Sequence, residues 1–346
     1  MQQLNYNPFY DAGITNYEQY KKYPFLIFGV LEQLKNRIAQ QGEQITNNIP
    51  VGERLILLGE RGIGKTSTLF FIRDMLLESM INTHTLSILP TDKEHYELLV
   101  QEVISSRLTT KVIPIELIKE TKKATYILID FPDTIDSKNY KKFLEFLWSL
   151  LTHKNYQNVN LVFTMNQSHY EKSFNYSEIF GKFITIHLER FNREETEQLI
   201  ESRLKLSGKR TEEVFSQEII NTVFSYSKGI PRNIISASNL LISSVIGQIT
   251  KEQAEEILKE KYIDQVINDR VTDLELRPIF KNIVGILKND FNGTTNSQED
   301  YVKRITEVTG IGRNSAIDRI NDLVKFGILT RYRGGYNRLN KIISLE

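Results

Sequence analysis

The chain has 346 residues, of which 40% are hydrophobic and 25% charged, an ordinary globular composition that excludes disorder over most of its length. It has no cysteine and five histidines, which excludes disulfides and thiolate zinc centres and disfavours a histidine metal site. The net charge of +1 says nothing about nucleic acid in bulk, so any basic surface must be local.

Length alone suggests roughly two or three domains. Residues 1–10 are polar and aromatic and do not read as a secretory signal. No apolar run reaches membrane-spanning length, so the cytoplasm is the expected compartment. Residues 1–27 read as irregular, and Leu31, Leu34 and Ile38 recur at helical spacing, which predicts a helix over 29–41. A short apolar run at 54–58 predicts a buried strand, 59–64 a loop and 66–80 a helix. Further strands are expected at 83–89, 126–129, 158–165 and 183–188. Helical patterns fall at 93–108, 114–122 and 139–152, with helix or loop at 168–181. Strands alternating with helices predict a parallel α/β sheet covered on both faces. From 191 the strands cease, and helical patterns follow at 193–206, 213–226, 231–247 and 250–265. The last stretch predicts helices at 276–291, 298–308 and 313–326, with a Gly-containing turn at 309–312. A hairpin over 328–343 turns at Gly334-Gly335.

Residues 59–66 read Gly-Glu-Arg-Gly-Ile-Gly-Lys-Thr between the predicted strand and helix. Glycines let successive backbone N–H groups face phosphate oxygens, and the helix adds its positive end. This is a Walker A phosphate loop, with Gly59, Glu60, Arg61, Gly62, Ile63, Gly64, Lys65, Thr66 and Ser67 as the expected ATP/ADP cradle. Lys65 supplies a point charge to the terminal phosphates and Thr66 a hydroxyl to Mg²⁺. Asp130 ends the third apolar strand and suits a Walker-B role as the second Mg²⁺ residue. Asp133 fits either a base that orients water or a turn residue. Asn166, at the end of the next strand, fits either a γ-phosphate contact or a loop start.

With these residues placed, the chain resembles the AAA+ ATPases over about 25–265. The order is Walker A, Walker B at 126–130, sensor 1 at Asn166, the box Ile186-His187-Leu188-Glu189-Arg190-Phe191, and sensor 2 at Gly229-Ile230-Pro231-Arg232. The resemblance implies a core at 1–190 with an N-terminal extension, a helical lid at 191–270, and Arg232 touching phosphate from the lid. Phe28-Gly29-Val30-Leu31-Glu32 looks like the family's element beside adenine, with Val30 where the family has Arg. The chain departs from the family at three places. Phe131 stands where a Glu usually follows the Walker-B Asp, which implies slow hydrolysis. No Arg precedes the fifth strand, leaving Lys182, Arg190 or nothing as the arginine finger. No pore-loop signature lies between 91 and 125, which disfavours a peptide-threading unfoldase.

Residues 271–346 look like a winged helix. Over 313–341 seven basic residues face two acids. Arg313, Asn314, Ser315 and Arg319 on the third helix, with Arg331, Arg333, Tyr336 and Arg338 on the wing, are the expected contacts to double-stranded DNA. The whole is most similar to the archaeal Orc1/Cdc6 replication initiators, which implies an ATP-regulated duplex-DNA-binding protein. The alternatives are a STAND-type or TniB/TnsC-like ATPase serving signalling or DNA transposition, or a non-hydrolysing ATP-dependent oligomeric scaffold. Expected partners are DNA, other copies of the chain, and replication or transposition proteins.

Overall fold

A computed structural model describes residues 7–9, 17–23, 25–46, 54–78, 83–84, 125–131, 159–172, 177–245, 249–271, 273–333 and 341–345. The expected helices at 93–108, 114–122 and 139–152, most of the strand at 83–89, Asp133 and the Gly334-Gly335 turn lie outside the described residues. The chain divides into two compact units: Gly13–Arg203 with Ile230–Arg232, and Met1–Ala12 with Leu204–Gly229 and Asn233–Glu346.

In the first of these, strands β1 (Arg54–Gly59), β2 (Thr83–His84), β3 (Thr125–Ile129), β4 (Val159–Asn166) and β5 (Ile184–His187) form one sheet in the order β2-β3-β4-β1-β5. Every pairing is parallel. β1 is buried from Leu55 to Gly59. It reads as a continuous apolar run because both of its faces are buried, as in a strand of a covered parallel sheet. Leu69, Ile72 and Leu76 of the helix Lys65–Glu78 pack with Leu55, Leu57, Leu128 and Val162. Leu31, Leu34 and Ile38 of the helix Val30–Thr46 join the same cluster, at the predicted spacing. That helix runs past the expected end at 41 and through Gly42, a residue worth about 1 kcal/mol less than alanine in a helix. The registers set the site: Gly59 of β1 stands opposite Asn166 of β4, and Leu58 opposite His187 of β5.

The other unit is mostly helical. The helix Gln217–Ser227 starts at Ser216, whose hydroxyl accepts from the Ile219 N–H. Lys251–Arg270 starts at a Thr250/Gln253 capping box, which satisfies two otherwise orphaned donors. It continues five residues past the predicted end at 265. After it come the helices Leu276–Asp290, Gln298–Thr309 and Arg313–Lys325. Strands β6 (Thr294–Thr295), β7 (Leu329–Arg333) and β8 (Lys341–Leu345) form an antiparallel sheet in the order β6-β8-β7.

At the centre of these C-terminal elements, Tyr301 is fully buried, its hydroxyl donating to the Ile283 carbonyl at 2.6 Å and its ring edge-on to Phe291. Burial pushes its phenol well above the usual value. Above roughly pH 10 the unfolded chain's phenol ionises while the buried one stays protonated. Stability is therefore full below that pH and falls as pH rises, by about 1.4 kcal/mol per unit for this group. Denaturant midpoints measured from pH 8 to 11.5 should fall more steeply for wild type than for Tyr301→Phe. That variant should also cost about 1 kcal/mol at neutral pH through the lost hydrogen bond. Parallel curves would show that the phenol ionises in place.

Candidate functional site

β1 delivers the chain at Gly59, and the helix begins at Lys65. Between them Gly62 (φ 87°) and Gly64 (φ 105°) are left-handed, where a side chain is strained. A Cβ on Gly59 would lie 2.6 Å from the Ile63 side chain, so glycine there is what lets buried Ile63 pin the loop inward. Thr68 closes the first helical turn, its N–H and hydroxyl both donating to the Gly64 carbonyl, at 2.9 and 3.0 Å. Lys65 is only 8% exposed, and its Nζ donates to the Gly59 and Glu60 carbonyls at 3.0 and 2.9 Å. The ammonium is thus held over the loop mouth by the loop itself. Arg61 and Ser67 are half-buried at the loop and first helical turn.

Although β3 lies two strands from β1, the Thr66 hydroxyl donates to Asp130 Oδ2 at 2.6 Å. Asp130 is buried, and its other oxygen accepts from the Thr164 hydroxyl at 2.6 Å. Thr164 in turn accepts from the Phe131 N–H at 2.8 Å. Thr164 went unremarked in the sequence, because a threonine inside an apolar strand is an ordinary β-branched residue. Its one signal is a hydroxyl in a strand buried from Asn160 to Met165. One carboxylate and one hydroxyl, both hard oxygen donors on rigid elements, fit Mg²⁺, which takes one or two protein oxygens and completes its shell with phosphate and water. Among the described residues no group of three or more acidic or histidine side chains forms a cage for a metal.

Arg232 comes to the same loop: its backbone N–H donates to the Gly62 carbonyl at 3.2 Å, and a Cβ on Gly62 would sit 3.0 Å from Arg232 Cβ. Asn166 is half-buried, across from Gly59. The structure therefore gathers 59–67, Asp130, Asn166 and Arg232 around one loop, while Asp133 lies outside the described residues. Glu60 makes a bidentate pair with Arg190, Nε–Oε1 2.5 Å and Nη2–Oε2 2.8 Å. One finger candidate is thus engaged within its own chain. Phe191 packs edge-on against Phe28 with centroids 5.2 Å apart.

On the C-terminal elements, Arg313, Asn314 and Ser315 are exposed at the start of the helix Arg313–Lys325. Arg313 forms a fork with Glu299, at 3.1 and 2.8 Å. That hydrogen bond, then the charge behind it, raises the Arg313 pKa and lowers that of Glu299. Arg319 lies 3.4 Å from Asp322. Arg331 is half-buried and donates to Asn321 Oδ1 at 2.9 Å; burial lowers its pKa. Arg333 closes β7, and its side chain, with Tyr336 and Arg338, lies outside the described residues. No described helix is long and apolar enough to cross a membrane.

The sequence matches no protein-family profile and no curated relative. Among solved structures, the Aeropyrum pernix Orc1 protein in complex with DNA aligns with a TM-score of 0.53 at 12% identity, over 90% of this chain and 88% of that one. Drosophila ORC bound to DNA aligns at a TM-score of 0.49 and 14% identity, over 100% and 90%. The Thermotoga maritima RuvB Holliday junction branch migration motor aligns at 0.48 and 15%, over 91% of each chain. At 12% identity the likeness to the Orc1 structure is one of fold alone: a five-stranded parallel sheet with extensive helical structure.

Proposed function

We propose that the chain is an ATP-regulated, duplex-DNA-binding AAA+ protein of the Orc1/Cdc6-like kind, with core, helical lid and C-terminal winged helix. One observation carries the nucleotide half: the loop-held Lys65 ammonium beside a Thr66 hydroxyl already 2.6 Å from Asp130. In this reading backbone N–H groups of 60–66 bind the phosphates and Lys65 turns from the loop carbonyls to the terminal ones. Thr66 and Asp130 are the residues that would hold Mg²⁺, whose contribution when bound would be to neutralise charge on the phosphate oxygens. Thr164 fixes the Asp130 carboxylate, and Arg232 reports the nucleotide to the lid. The DNA half rests on the local excess of basic residues over 313–341, whose arginines carry guanidinium forks suited to phosphate.

A second reading, a nucleotide-gated scaffold with negligible turnover, is favoured by Phe131. It occupies the position after Asp130, is 4% exposed, and its N–H is bonded to Thr164. No carboxylate therefore stands there to activate water.

The test is a shift assay on duplex DNA with ATP, ADP or no nucleotide across a salt series, with ATP turnover followed alongside. Binding should weaken with salt, and Arg313→Ala with Arg338→Ala should lower affinity and reduce the log–log salt slope by about two. Affinity and slope unchanged in that double variant would defeat the DNA reading. DNA binding that needs ATP without turnover would favour the scaffold.

A further inference from the structure

The long helix Lys251–Arg270 ends in a buried cation: Arg270 is 4% exposed. Burying a guanidinium costs several kcal/mol unless its donors are met, and here they meet two different elements. Nη1 donates to the carbonyls of Phe326, at 3.0 Å, and of Gly327. Nη2 donates to Asn233 Oδ1 at 2.7 Å. Phe326 is the C-cap of the helix Arg313–Lys325, and Gly327 follows it in the left-handed region. The last carbonyls of a helix carry its negative end and lack intrahelical donors, so a cation is favoured there.

Asn233 lies in the helix Pro231–Ser244, directly after Arg232. Asp269, beside Arg270, accepts from Ser236 of that same helix at 2.5 Å. One planar fork thus joins the helix whose second residue is Arg232 to the foot of the helix that opens with Arg313. The same helix also takes a donor from Arg331, on Asn321 Oδ1. A fork with donors in fixed directions tolerates little sliding between the two elements it joins, unlike a lysine ammonium.

We propose that Arg270 is a positioning residue that couples the nucleotide site to the DNA surface: a shift of the Arg232–Asn233 turn is passed through the Arg270 fork to the helix Arg313–Lys325. This rests on the ATP-regulated DNA-binding reading above. Sites are coupled when both bias one two-state element, and that element here is the pose of the Arg313–Lys325 helix relative to Asn233.

The experiment measures duplex-DNA affinity of the full chain in saturating ATP and in ADP, for wild type, Arg270→Lys and Asn233→Ala. ATP affinity is measured by calorimetry and melting by circular dichroism. Wild type should show an ATP-to-ADP affinity ratio of about tenfold, within the usual range of coupling. Both variants should fall to less than about twofold, while ATP affinity stays within error. Asn233→Ala keeps the proposal testable if Arg270→Lys folds poorly, because it removes one acceptor and leaves the two carbonyls paired. Should the variants lose DNA affinity equally in both nucleotide states and keep the ratio, Arg270 is structural only and the proposal is overturned. A wild type whose ratio is one overturns the ATP-regulated reading itself, which is a distinct result.

Discussion

Lys65→Ala should weaken ATP binding on the order of a hundredfold, read as the dissociation constant in a calorimetric titration with Mg²⁺. The ammonium is buried at the loop mouth, with its donors on the Gly59 and Glu60 carbonyls. On the proposed mechanism it exchanges these for phosphate oxygens. Charge-assisted hydrogen bonds are worth about 1.5–3 kcal/mol each, and about 1.4 kcal/mol is tenfold in affinity. Two such bonds therefore set the scale. The variant should melt close to wild type, since the loop glycines and Ile63, rather than Lys65, fix the backbone. An unchanged affinity would mean that phosphate does not sit in this loop.

Phe9→Ala should cost about 3–5 kcal/mol in the helical unit, read from the denaturant midpoint and slope. Phe9 is fully buried against Phe215, with centroids 6.3 Å apart. Asn7 anchors it from both directions. Its side-chain oxygen accepts from the Phe9 N–H at 2.9 Å, and its amide donates to Asn239 at 2.7 Å, across 232 residues. Asn7→Ala should cost less, about 1 kcal/mol, because it removes hydrogen bonds without opening a cavity. A Phe9→Ala chain as stable as wild type would show that these residues only rest on the surface.

What could be read from the sequence follows from how far apart the cooperating residues lie. The glycine-rich loop at 59–66 was legible because its motif is written in eight consecutive residues between an apolar strand and a helix, and the structure has that strand, loop and helix. Asp130 was legible because an acid ending an apolar strand is unusual. Thr164 was not, because what it bonds depends on β3 lying beside β4, which strand periodicity does not encode. The Glu60–Arg190 pair spans 130 residues and Arg270–Gly327 spans 57; both follow from tertiary placement alone. Within residues 1–27, which read as irregular, nothing local says that Phe9 will be buried or against what. The predicted helix end at 265 fails for a related reason. Asp264 and Gln265 look like a polar finish, but Asp269 and Arg270 are polar residues placed to bond inward.

Phe131 bears on how the protein can evolve. Its side chain lies in the core, and its amide is committed to Thr164. Installing an acid there to gain a fast hydrolytic cycle would bury an unpaired carboxylate. On the proposed reading, a one-step change of Phe131 to an acid therefore costs core stability before it can serve hydrolysis. On the proposed scaffold reading, the bound state lasts as long as the nucleotide stays, and exchange or a second protein resets it.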